Sequence, residues 1–164
     1  MSAIISPCGL YRYRLERRFG DGPASLFIML NPSTADAEID DPTIRRCIRF
    51  AQSFGCGRLL VGNLFAFRAT KPADLMKASD PEGPDNLKHL KKMCAEAQLC
   101  IAAWGAHGKY RGQGQRIIGR LSAWDVPLHH LKMTKAGHPC HPLYLKATLT
   151  PVAYAMRLMP LKTV

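Results

Sequence analysis

Three apolar runs and one mixed segment punctuate the chain. The first, Leu26-Phe27-Ile28-Met29-Leu30, runs straight into Asn31-Pro32 and an acidic stretch from Asp36 to Asp41. The second is Leu59-Leu60-Val61-Gly62-Asn63-Leu64-Phe65-Ala66, and the third is Leu99-Cys100-Ile101-Ala102-Ala103-Trp104. The fourth, from Val126 to Met133, mixes apolar residues with His129 and His130. Short apolar runs ended by turn residues mark buried strands of a parallel sheet. The expected core strands are residues 25–30, 59–64, 99–104 and 128–133. Upstream, Tyr11, Tyr13 and Leu15 alternate with Arg12, Arg14 and Glu16. That is the pattern of a half-buried strand, and Gly20-Asp21-Gly22-Pro23 turns it into the first core strand as an antiparallel lead-in.

Between the runs the period changes to that of a helix. Asp41 is placed as an N-cap with Pro42 at the first helical position, and Ile44, Cys47, Ile48, Ala51 and Phe54 follow at helical spacing. Gly55 and Gly57 end that helix. Arg68 to Pro84 forms a turn-rich connection with one short helix at most. A helix capped by Asp85 continues to about Ala97, a basic helix spans residues 115–123, and a final helix runs to about Met159. Alternating strands and helices predict one α/β domain over residues 1–164. Its centre is a mainly parallel four-stranded sheet between helical layers, an α/β/α sandwich.

Charge adds a partner class. The formal net charge is +11, and from Gly105 onward nine Lys or Arg stand against one acid, Asp125. A basic half favours nucleic acid over a membrane surface, because no basic amphipathic helix stands out and no apolar run has spanning length. The N-terminal residues lack the charged and apolar regions of a secretory signal. Six scattered cysteines include no C-x-x-C pair, so they read as reduced thiols in a cytoplasmic protein. His138, Cys140 and His141 are adjacent in sequence without distant ligands to complete a site, so no metal or cofactor is expected.

Candidate chemistry gathers at strand ends. Pro32 biases Asn31 toward extended backbone, which presents an amide at the carboxyl edge of the sheet, where open α/β folds bind ligands. Asn63 lies inside an apolar run, where an amide is costly unless backbone or ligand satisfies it. The turn Trp104-Gly105-Ala106-His107 and the loop Gly137-His138-Pro139-Cys140-His141-Pro142 close the set.

An Asn-Pro turn after the first core strand, together with a His-Pro loop after the last, resembles the uracil-DNA glycosylase-like superfamily. MLNPS is similar to its first motif, LLVGNLFAFRATKP to its base-reading strand, AQLCIAAWGAHG to its strand and glycine turn, and TKAGHPCHPLYL to its His-Pro motif. In longer order, MLNPSTAD, DDPTIRRC, GNLFAFRATKP and HPLYLK resemble domain-of-unknown-function family 1643. Two departures stand out: the first turn is Asn-Pro-Ser without a carboxylate, and the last motif reads HPCHPLYL.

The resemblance implies roles. Asn31 orients a water, and His141 or His138 stabilises the departing base. Asn63 reads the base edge beside Pro32, Ser33, Gly105 and His107, and Phe65 or Phe67 stacks on the ring. Lys109, Arg111, Arg116 and Lys135 hold phosphates of DNA or another nucleic acid. The function implied is a base- or nucleotide-directed N-glycosidase, acting as a monomer on a flipped-out or modified base. The rivals are a non-catalytic nucleic-acid or nucleotide-binding module of the same fold, and an enzyme acting on a free base or nucleotide-like metabolite.

Overall fold

The computed structural model describes residues 1–155. Its strands are β1 (Ser2–Ile5), β2 (Arg12–Arg18), β3 (Ala24–Met29), β4 (Arg58–Asn63), β5 (Leu99–Ala102), β6 (Leu128–His130) and β7 (Val152–Ala153). Its helices are α1 (Pro42–Ser53), α2 (Pro72–Lys77), α3 (Asn86–Glu96) and α4 (Gln113–Ala123). The strands form one mixed sheet in the order β1-β2-β4-β3-β5-β6-β7.

The four expected core strands are present, and their neighbours are parallel: β4 with β3, β3 with β5, and β5 with β6. Every residue of β3 is buried, as an unbroken apolar run requires. Successive side chains serve opposite faces. Phe27 and Met29 pack with Ile44, Cys47 and Phe50 of α1. Leu26 and Ile28 pack with Leu90 and Met93 of α3 and with Ile117 and Leu121 of α4. Gly62 lets α3 approach β4, because a Cβ there would lie 2.6 Å from Leu90 Cδ2 and 2.8 Å from Met93 Cε. Asp41 caps α1 as expected, accepting from Ile44 N at 2.9 Å with Pro42 in the first turn.

The sheet departs from the sequence expectation at its edges. It has seven strands, because antiparallel β1, β2 and β7 extend the four-stranded centre. The lead-in strand β2 is antiparallel, but to β4 and not to the β3 that follows it. The expected final helix is not formed over residues 145–155. Pro142–Tyr144 makes one 3₁₀ turn, Leu145 is extended, and β7 follows Pro151. Pro151 has no N–H and biases Thr150 toward extended backbone. The remainder of that expectation, residues 156–159, lies outside the described residues. β6 ends at His130, and Met133 makes only a bridge to Pro139.

This topology leaves a crevice. The chain leaves β3 through α1 toward β4, and leaves β5 through α4 toward β6 on the other side. Connections that diverge from adjacent parallel strands open a cleft over their carboxyl ends.

Candidate functional site

A cavity of about 70 Å³ lies at that edge, lined by Arg12, Met29, Asn31, Ser33, Asp41, Thr43, Ile44, Val61, Asn63 and His141. Five separate segments contribute to it. β3 delivers Asn31, β4 ends on Asn63, β2 begins with Arg12, Asp41 opens α1, and the His-Pro loop supplies His141.

Asn31 is oriented by backbone. Its Nδ2 donates to Ala69 O at 2.8 Å and to Pro32 O at 3.0 Å. Both amide hydrogens are engaged, so Asn31 has Oδ1 to offer, which is an acceptor. Pro32 is buried, and its carbonyl also accepts from Ala69 N at 3.0 Å. Asn63 is the converse case. Its residue is 2% exposed, and its Nδ2 is buried without a hydrogen-bond partner. The backbone around it is firmly held, because Asn86 Nδ2 donates to Asn63 O at 2.9 Å and Gln113 Nε2 to Leu64 O at 3.1 Å. An unpaired buried donor costs about 1–3 kcal/mol, so this amide is costly as it stands.

His141 reaches the cavity through the turn after β5. Gly105 N donates to Pro139 O at 2.8 Å, which ties the turn to the His-Pro loop. Gly105 has φ 73°, and a Cβ on it would come to 3.9 Å from His141 Cβ, so this turn borders the histidine. His141 Nδ1 accepts from Leu143 N at 3.3 Å, which leaves the proton of the neutral ring on Nε2. Burial holds the His141 pKa below the ordinary imidazole value, with the Asp41 carboxylate opposing that shift.

Two charged residues join the cavity beyond those expected from the sequence. Arg12 belongs to a strand whose register slips by one residue between Ile4 and Ile5, opposite Arg14 and Arg12. Tyr13 is the extra residue, and such a bulge changes the phase of alternation. Arg12 therefore turns inward, is 3% exposed, and donates to Ala35 O while its Nε has no partner. Burial pulls its pKa down to about 10, so it remains charged at neutral pH. Asp41 is the helix cap that its sequence position predicts, and it is also the only carboxylate among the residues lining the cavity.

The remaining expected site residues are dispersed. Ser33 lines the cavity and also a broader, open cleft of about 590 Å³ with Phe67, Arg68, Ala69 and Lys77. Phe65 is 1% exposed and packs in the core against Tyr110, whereas Phe67 lines the cleft. His138 lies in a separate cavity of about 150 Å³ with Lys109, Trp104 and Tyr154, so His141 is the histidine that joins Asn31. His107, Lys109, Arg111, Arg116 and Lys135 are exposed, and none lines the Asn31 cavity. Among the described residues, no cluster of three or more His, Cys, Asp or Glu forms a metal site, and no helix is long and apolar enough to cross a membrane.

A family model described as Protein of unknown function (DUF1643) matches residues 12–143, a span that holds every residue lining this cavity. No curated protein and no solved structure matches the chain.

Proposed function

This chain belongs to the DUF1643 family, and for it we propose a base- or nucleotide-directed N-glycosidase of uracil-DNA glycosylase-like fold, acting on a flipped-out or modified base. The observation that carries the reading is the shared cavity of Asn31, Asn63 and His141, with the Asn63 amide nitrogen left unpartnered. Helices on both sheet faces and the diverging connections beside β3 support the fold assignment.

The residue chemistry suits cleavage of a C1′–N bond. As that bond breaks, its electron pair passes to the base and positive charge builds on the sugar. Asn31 Oδ1 accepts a hydrogen from the attacking water and orients its oxygen toward C1′. Asp41 holds Ile44 N with Oδ1 and keeps Oδ2 as an acceptor for the water's proton. His141 donates Nε2–H to an oxygen of the departing base and stabilises its negative charge without first giving up a proton. One such donor in a dry site is worth about 3–4 kcal/mol of barrier. Asn63 meets the edge of the base, which supplies the partner its Nδ2 lacks.

Size sets the pose. A cavity of about 70 Å³ has room for two waters at roughly 30 Å³ each. It accommodates the attacking water and a ring edge, and the cleft that shares Ser33 with it takes the rest of the nucleotide.

The test is release of free base from single-stranded and duplex DNA carrying uracil, hypoxanthine, xanthine or modified pyrimidines, with free nucleosides in parallel. Release by the wild type and its loss in Asn31→Ala and His141→Ala are the expected result. Binding of a nucleotide that requires Asn63, with no release from any substrate, overturns the glycosidase and leaves the binding module.

A further inference from the structure

Arg12 is the least expected member of the cavity, and its chemistry differs from that of the asparagines. A guanidinium donates from five N–H groups and accepts from none. Arg12 uses Nη1 on Ala35 O, yet its Nε is buried without a partner. Asn63 Nδ2, on the neighbouring strand end, is unpartnered in the same cavity. Two residues of 3% and 2% exposure therefore border one small space, each with a buried donor nitrogen that the protein does not satisfy. Among the described residues, no ion pair joins Arg12 to Asp41, although both line the cavity and Asp41 favours the charged guanidinium.

We propose that Arg12 is a specificity-determining residue of this site, whose buried Nε takes an acceptor oxygen of the substrate ring and excludes an amino group there. The inference rests on the reading of the cavity as a base-binding site. Its physical core is an asymmetry between the two side chains. Asn63 alone does not discriminate, because rotating the amide by half a turn exchanges donor for acceptor. It can thus meet either a ring oxygen or a ring amine. Arg12 cannot make that exchange. An amine brought against it leaves two donors face to face, both desolvated, and a site of buried polar groups rejects such a mismatch strongly. Arg12 thus biases Asn63 toward its donor orientation, and the substrate class is a ring with an exocyclic oxygen at the inserted edge. The β2 bulge is what makes this possible, because regular alternation would send Arg12 to the other face of the sheet.

The experiment measures binding of four free bases, uracil, hypoxanthine, cytosine and adenine, to the full chain by titration calorimetry. Thermal unfolding of every variant is recorded alongside. The wild type is expected to favour the oxo base over its amino counterpart by about tenfold or more. Arg12→Gln, which offers an acceptor as well as a donor, should bring that ratio close to one. Arg12→Lys keeps the charge without Nε and covers the case in which the glutamine variant fails to fold; it should lower the ratio by several-fold. Arg14→Gln removes a charge from the same strand but pairs with Glu96 outside the cavity, and should leave the ratio unchanged.

A ratio that survives in folded Arg12→Gln and Arg12→Lys overturns the proposal, and so does one that falls equally in Arg14→Gln. Failure of the wild type to bind any of the four bases also overturns it. The glycosidase is judged separately by base release. An Arg12-dependent preference without release upholds the specificity role and removes the catalysis, whereas release with an unchanged ratio does the reverse.

Discussion

Asn31 Nδ2 donates to Ala69 O at 2.8 Å, across 38 residues of sequence. That bond fixes the amide before any ligand arrives and turns Oδ1 into its free function. Asn31→Ala removes both the anchor and the acceptor. Stability should fall by about 1 kcal/mol, the ordinary worth of a hydrogen bond. Base release should slow by roughly a hundredfold or more while nucleic-acid affinity changes little, because the contact with water matters most as the bond breaks. Single-turnover rates and binding isotherms on one protein preparation separate the two quantities. Equal losses in both would make Asn31 a binding or structural residue.

Burial lowers the His141 pKa from its ordinary 6.5, and this has a consequence for stability. The unfolded chain binds the proton more readily, so stability rises with pH across the window between the two values. The contribution is complete above about pH 6.5 and is lost as the pH falls toward the lowered folded value. Protonation also occupies Nδ1 and removes the acceptor for Leu143 N. Chemical denaturation at pH 7.5 and at pH 5.5 should show a larger loss for the wild type than for His141→Gln. His89 and His130 carry shifts of the same sign through burial and are common to both proteins, so the difference isolates His141. Parallel losses in the two proteins would place His141 in solvent.

Asn63→Leu separates ligand binding from folding. The amide nitrogen has no partner to lose, and leucine has nearly the same shape without a donor to desolvate. Stability is expected to stay within about 1 kcal/mol of wild type or to rise, while base binding is abolished. The same substitution at Asn86, whose Nδ2 donates to Asn63 O and shares Leu64 O with Gln113, should cost about 1–2 kcal/mol by removing the side-chain donor to a buried carbonyl and one of two donors to the next. Urea midpoints compare them directly. A large destabilisation by Asn63→Leu would show that the cavity serves the fold.

The contrast between these asparagines shows what the chain makes legible. Leu26 to Leu30 and Leu59 to Val61 announce buried strands by composition alone, and Asp41-Pro42 announces a helix start, because each signal is local. β1 and β7 are not legible, because four and two residues at exposed edges carry little apolar pattern. Arg12 is hidden for a different reason. The alternation in Tyr11 to Glu16 predicts its face correctly only if the strand is regular, and a bulge is decided by pairing with β1. Asp41 is legible in one role and not in the other, since the cavity exists only when α1, β3 and the His141 loop meet. Asn63 stands out because an amide within an apolar run needs a partner, whereas Asn31 and His141 stand out through the resemblance of the Asn-Pro turn and the His-Pro loop to known motifs. Phe65 carries the same strand-end signal as Phe67, and packing against Tyr110 alone distinguishes them.

Nucleic-acid binding, if phosphate contacts carry it, must weaken with salt, and the basic residues should not contribute equally. Arg111 is exposed with φ 53°, stacks over the Tyr110 ring with its guanidinium carbon 5.4 Å from the centroid, and forms no ion pair with a described residue. Tyr110 in turn donates to Met76 O at 3.3 Å, which sets this loop beside α2 and near Lys77 on the rim of the broad cleft. Arg116 is already engaged, donating to Gln113 Oε1 at 2.9 Å and lying 3.6 Å from Glu82. Gln113 holds Leu64 O beside the cavity, so reversing Arg116 disturbs the site as well as the surface. Arg111→Glu should therefore weaken binding alike for all sequences and leave unfolding unchanged. It should also flatten the salt slope by about 0.9 for each duplex phosphate that the protein no longer neutralises. Arg116→Glu should lose less of the salt-dependent binding and more of the stability. Fluorescence anisotropy across a salt series, with thermal unfolding alongside, measures both. Binding that is absent at low salt, or indifferent to added salt, would exclude the phosphate backbone as a partner and turn the search to free bases and nucleotides in the Asn31 cavity.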